Sequence, residues 1–163
     1  MTSAVRLDRP FLSVPMINLF WTAILGCSAW SEEPPVLPPE AAGITQPAEY
    51  SFGSVTQAAD WRATVTVLDQ LESRFGEKSI RILPRNLDVR ITPQAIKAHY
   101  SDRLSQEPSW TEIPLASFGP ANSAWAFALV SSNGNWVFAV EALEASESSG
   151  GIVPLNILTN IRN

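Results

Sequence analysis

The chain has one cysteine, Cys27, and one histidine, His99, so nucleophilic and metal chemistry have little to draw on. A structural zinc site takes four Cys or His ligands and a catalytic one about three protein ligands. No Asp-rich loop has calcium spacing, and neither a phosphate loop nor a Gly-x-Gly-x-x-Gly run occurs. The sequence therefore assigns no metal site and no cofactor. His99 stands three and four residues before Asp102 and Arg103, which places them on one helix face if the segment is helical. That arrangement suits an oriented base, but no Gly-x-Ser-x-Gly elbow presents a nucleophile to it. We read His99 as a solvated helix residue and assign no catalytic residue. The chain reads as more non-enzyme than enzyme, although carboxylate-pair catalysis stays open among the acids beyond residue 50. Glu141, Glu144 and Glu147 recur at three-residue intervals and read as a solvated rim.

Charge supplies the one asymmetry. Between Arg74 and Arg103 stand seven basic residues against Glu77, Asp88 and Asp102, in a chain whose net charge is −5. The candidate binding set for an anionic partner is Arg81, Arg85, Arg90, Lys97, His99 and Arg103, with Trp136 as a half-exposed aromatic beside two asparagines. The same residues are also what ordinary outward-facing charge on strands would look like. An acidic chain does not suit nucleic acid, whose phosphates demand a basic face.

These residues need a scaffold, and the pattern for one begins after residue 50. Ser54 with Gln57 has the spacing of a capping box. Ala58, Trp61, Val65, Leu68, Leu71 and Phe75 follow at helical spacing, and Gly76 supplies a stop. Ile80–Ile82 and Leu87–Ile91 alternate as two strands separated by Pro84-Arg85-Asn86. Thr92-Pro93 opens a second helix, to about Ser105. Trp110 to Leu115 reads as a strand. Ala124 to Ser131 and Trp136 to Leu143 form a hairpin about Asn133-Gly134. Ala124, Ala126 and Ala128 share one face, small enough for a helix to approach closely, and Ile152 to Ile161 supplies a closing strand. The expected fold is α+β, an antiparallel sheet with two helices packed on one face, in the order α-β-β-α-β-β-β and a possible further β.

The first residues have a different character. Arg6 and Arg9 precede a run from Pro10 to Ser31 with no ionisable side chain except the Cys27 thiol, densest in apolar residues from Met16 to Leu25. A positive start, an apolar stretch and a small-residue boundary are the parts of a secretory signal. Ile24-Leu25-Gly26-Cys27 resembles the lipobox of bacterial lipoproteins, with Leu25 bulkier than the residue usual at its position. The resemblance covers only the leader and implies cleavage before Cys27, which would then carry lipid and anchor the chain to a membrane on its extracytoplasmic side. Cleavage after Ala29 with free secretion, or an uncleaved anchor helix, are the competing readings of the same residues. From Ser28 to Glu49 five prolines, four glutamates and no basic residue read as an extended, solvated tether whose acidity discourages contact with anionic headgroups.

The expected organisation is thus a signal peptide over 1–26, a lipid-attachment cysteine and tether over 27–49, and one globular domain over 50–163. The function that fits is a membrane-tethered, non-enzymatic binding or assembly module of the cell envelope, its partner an envelope protein or an anionic envelope polymer. A small-ligand or glycan binder and a small secreted hydrolase are the alternatives.

Overall fold

The computed structural model describes residues 34–47, 52–76, 79–105, 109–118 and 123–162. The leader, Cys27 and the start of the tether lie outside them. The described elements are β1 (Ile44–Thr45), α1 (Ser54–Phe75), β2 (Arg81–Asp88), α2 (Pro93–Leu104), β3 (Trp110–Ile113), β4 (Ala124–Ser131), β5 (Val137–Leu143), a 3-10 turn at Ala145–Glu147, and β6 (Ile152–Thr159). The strands form one antiparallel sheet in the order β1-β2-β6-β5-β4-β3. The fold is α+β, as the sequence pattern implies. Among the described residues no helix is long and apolar enough to cross a membrane.

Strand register decides where the helices go. Ala128 pairs with Ala139 and Ala126 with Glu141, which in turn pairs with Asn156. Leu129 pairs with Phe138, and Val140 with Ile157. Because side chains alternate across a strand, the first set lines one face and the second set the other. α1 lies on the first face, where Val67 and Leu71 pack with Ala128, Ala139 and Leu158. α2 lies on the second, where Tyr100 meets Phe138 with ring centroids 4.6 Å apart. The expectation that both helices share a face is therefore corrected. The alanine face does receive a helix, but the opposite face, rich in Phe127, Leu129, Phe138, Val140, Leu155 and Ile157, is equally apolar and must be covered too.

Three local readings change with it. Around Pro84 the chain forms one continuous strand, Arg81–Asp88, because β1 pairs only with Asn86 and Leu87 and leaves Pro84 on an open edge, where its missing donor costs nothing. Residues 89–91, expected to continue the second strand, turn back toward α2, with Ile91 N donating to the Asp88 carbonyl. On α1 the buried stripe is Ala59, Ala63, Thr64, Val67 and Leu71, while Trp61 is 61% exposed. The stripe is rotated from the expected one because an alanine floor admits Ala59 and Ala63 at close range but no indole. Ser54 is the first helical residue, and Gly53 occupies the cap without a side-chain bond, while Gln57 Nε2 donates to the Phe52 carbonyl at 2.8 Å. Thr92 does cap α2, its Oγ1 accepting from Ala95 N at 3.2 Å.

The packed region also starts earlier than residue 50. Ala41 and Ile44 are buried, Leu37 packs against the same cluster, and β1 extends the sheet. The Pro/Glu-rich stretch was expected to stay extended because it cannot fold alone. Its apolar residues have a host in the edge of β2 and the flank of α2, and that burial outweighs the weak local propensity.

Candidate functional site

Arg81 leaves β2 on the α2 face, and Trp136 precedes β5 at the same end of the sheet. With Ser79, Asn160, Arg162 and Pro34 they line an open cleft of about 510 Å³. β6 ends at Thr159, so Asn160 and Arg162 are set just past its last rung. Asn160 is anchored on both sides, Oδ1 accepting from Val137 N at 2.9 Å and Nδ2 donating to Asn135 O at 2.8 Å. That pinning holds the end of β6 beside the loop before β5. The Arg81 guanidinium donates to the Ile161 carbonyl, a bond that orients the group, and Arg81 makes no ion pair among the described residues. Arg162 is exposed and makes no ion pair among the described residues. Two guanidinium groups next to an indole suit a flat or phosphate-bearing anion.

The rest of the sequence-derived binding set is not brought together. Arg85 pairs with Glu40 of the docked N-terminal stretch. Arg90 grips Asp88 two residues away, Nε to Oδ1 at 2.9 Å, which holds the Asp88 carboxyl down at about 2. Lys97 Nζ reaches Glu112 on β3 at 2.6 Å. His99 Nε2 lies 3.0 Å from the Pro39 carbonyl, a contact that needs the proton on that nitrogen, so the residue serves the docked stretch and not an oriented base. Arg103 is exposed on α2 with no ion pair among the described residues. Arg85 and His99 thus hold the chain's own Pro39-Glu40 segment, a role invisible while that segment was read as solvated. Trp136 is half-buried as expected, but Trp61 is the more exposed tryptophan.

Sequence reasoning missed a second constellation. Glu141 is fully buried between β5 and α1 and is not on a rim. Its Oε2 lies 3.1 Å from both Thr64 Oγ1 and Asn156 Nδ2, and Asn156 Nδ2 also reaches Asp60 Oδ1 at 2.9 Å. Burial pushes the Glu141 carboxyl up to about 8; the Asn156 bond opposes that rise and nearby Asp60 adds to it. Asp60 is raised to about 6, again by burial and against the Asn156 bond. The signal was present in strand parity, since Glu141 stands in step with Val137 and Ala139, toward the alanine face. Two carboxyls do converge, yet Glu141 has no solvent access, so no substrate can meet the pair as folded.

A smaller cavity of about 130 Å³ lies between Trp125, Leu143 and the turn before α2. Among the described residues no group of three or more His, Cys, Asp or Glu side chains could hold a metal ion. No protein-family model matches the chain, and no curated protein or solved structure matches it either.

Proposed function

We propose that the chain is a membrane-tethered, extracytoplasmic lipoprotein that acts as a non-enzymatic module and binds an anionic group of another envelope component in the Arg81–Arg162–Trp136 cleft. The observation that carries this reading is the meeting of two arginines, neither in an ion pair among the described residues, and an indole around one open cavity. The leader pattern and the lone Cys27 support the anchor. Glu141, the deeper of the two converging carboxyls, is fully buried and gives the hydrolase alternative little support.

Titration with short-chain polyphosphate, followed by intrinsic fluorescence, tests the cleft. Binding should weaken at least tenfold in Arg81→Glu and in Arg162→Glu and should fall with added salt. Affinity indifferent to both reversals would overturn the cleft as the site. Saturable binding of neutral oligosaccharides, lost in Trp136→Ala and unaffected by the arginine changes, would favour the glycan reading. The anchor is tested separately by membrane partition: a Cys27→Ser protein should become soluble, and unchanged membrane association would rule lipid attachment out.

A further inference from the structure

The polar cluster under α1 contains more hydrogen-bond contacts than its own hydrogens can serve. Asn156 Nδ2 carries two hydrogens but lies within bonding distance of three acceptors: Asp60 Oδ1 at 2.9 Å, Thr64 Oγ1 at 3.0 Å and Glu141 Oε2 at 3.1 Å. Thr64 has a single hydroxyl hydrogen, placed between the Asp60 carbonyl at 2.9 Å and Glu141 Oε2 at 3.1 Å. Three hydrogens face five contacts. A proton on Glu141 Oε2 supplies a donor to Thr64 Oγ1 and frees the threonine hydrogen for the Asp60 carbonyl. Glu141 Oε1 is buried with no partner among the described residues, a position far costlier for an ionised carboxylate than for a neutral acid.

We propose that Glu141 is a neutral acid in the folded protein and that its proton is the pin of a pH-operated latch holding the first half of α1 against the sheet. Asp60 and Thr64 belong to α1, Glu141 to β5 and Asn156 to β6, so the cluster joins three elements at one point. From α1 the titratable group facing Glu141 is Asp60; β4 sets Ala126 opposite it and β6 sets Asn156. Neither strand neighbour can neutralise a carboxylate. The second half of α1 is held differently, by Val67 and Leu71 in the apolar cluster, so loss of the proton loosens one half of the helix and spares the other. The elevated Glu141 and Asp60 values agree in direction. A carboxyl raised on folding adds stability that is complete below its unfolded value and lost as pH climbs through the folded one. The window here runs from about pH 4 to about pH 8.

The test uses the whole protein and needs no variant for its first arm. The Glu141 side-chain carbon shift, followed by NMR, should report deprotonation above neutrality; a carboxylate already ionised at pH 6 would overturn the proposal. Amide-exchange protection across residues 58–66 should drop more than tenfold between pH 6 and pH 9, while that of residues 67–75 changes little. Equal protection at both pH values would also overturn it. Glu141→Gln, which keeps a permanent donor, should flatten the pH response. If that variant fails to fold, Asp60→Asn, which removes a negative neighbour that helps to raise Glu141, should move the Glu141 carbon-shift midpoint to lower pH and carry the loss of protection across residues 58–66 down with it; a protection midpoint that stays in place while the carboxyl's moves would count against the latch.

Discussion

The two faces of the sheet solve the same covering problem in opposite ways. Under α1 the floor is Ala126, Ala128 and Ala139, the helix presents Ala59 and Ala63, and the approach is close enough that a carboxyl, an amide and a hydroxyl are sealed in with it. Under α2 the contact is made by large side chains, with Tyr100 against Phe138 and Ile96 and Leu104 in the same cluster. At its margin Lys97 pairs with Glu112 where water can reach both. Close packing of small residues fixes position and tolerates no added volume. Packing of large residues fixes energy and tolerates no removal.

The largest effect should separate the two faces directly. Phe138→Ala removes a fully buried ring from the α2 face and should cost about 3–5 kcal/mol. On the α1 face the damaging change is the reverse one, Ala139→Leu, expected to cost about 1–3 kcal/mol through overpacking. Urea unfolding of both variants checks the contrast, and a neutral Ala139→Leu would show that α1 has room to spare.

Next comes the docked N-terminal stretch. Gly43 has φ +85°, and a Cβ there would stand 2.6 Å from Ile91 Cγ1. Gly43→Ala should cost about 1–3 kcal/mol and expose the 34–47 segment to limited proteolysis before the sheet unfolds. Unaltered protease resistance would mean the stretch is held by its apolar contacts alone.

Smallest is the margin of the α2 face. Lys97 and Glu112 are both well exposed, so Lys97→Ala should change stability by no more than about 0.5 kcal/mol. A larger loss would mean that the pair helps to position α2, contrary to the division of labour drawn between the faces.

Much of the fold was legible because it rests on local chemistry. Thr92-Pro93 and Gly76 mark helix ends through backbone geometry that neighbours along the chain can satisfy. The alternation in β4 and β5 and the turn at Gly134, with φ 74°, are equally local. The candidate site was legible only in part. Arg81 and Trp136 were named from residue type, but Arg162 was overlooked, lying past the last predicted strand in a segment with no charge pattern. Arg85, Arg90 and Lys97 looked free because sequence shows a charge and not its partner: Glu40 is 45 residues away from Arg85.

The amino-acid order alone determined that the chain has an apolar run ending at its single cysteine, a proline-rich stretch and an antiparallel α+β domain with its helix and strand types. Those follow from polarity, period and backbone permissions that act over a few residues. Only the tertiary structure decided that the helices lie on opposite faces, that part of the acidic stretch is docked, and that Glu141 is sealed beside Asp60. Each of these depends on strand register, which sums weak preferences over the whole sheet and places side chains distant in sequence within bonding range.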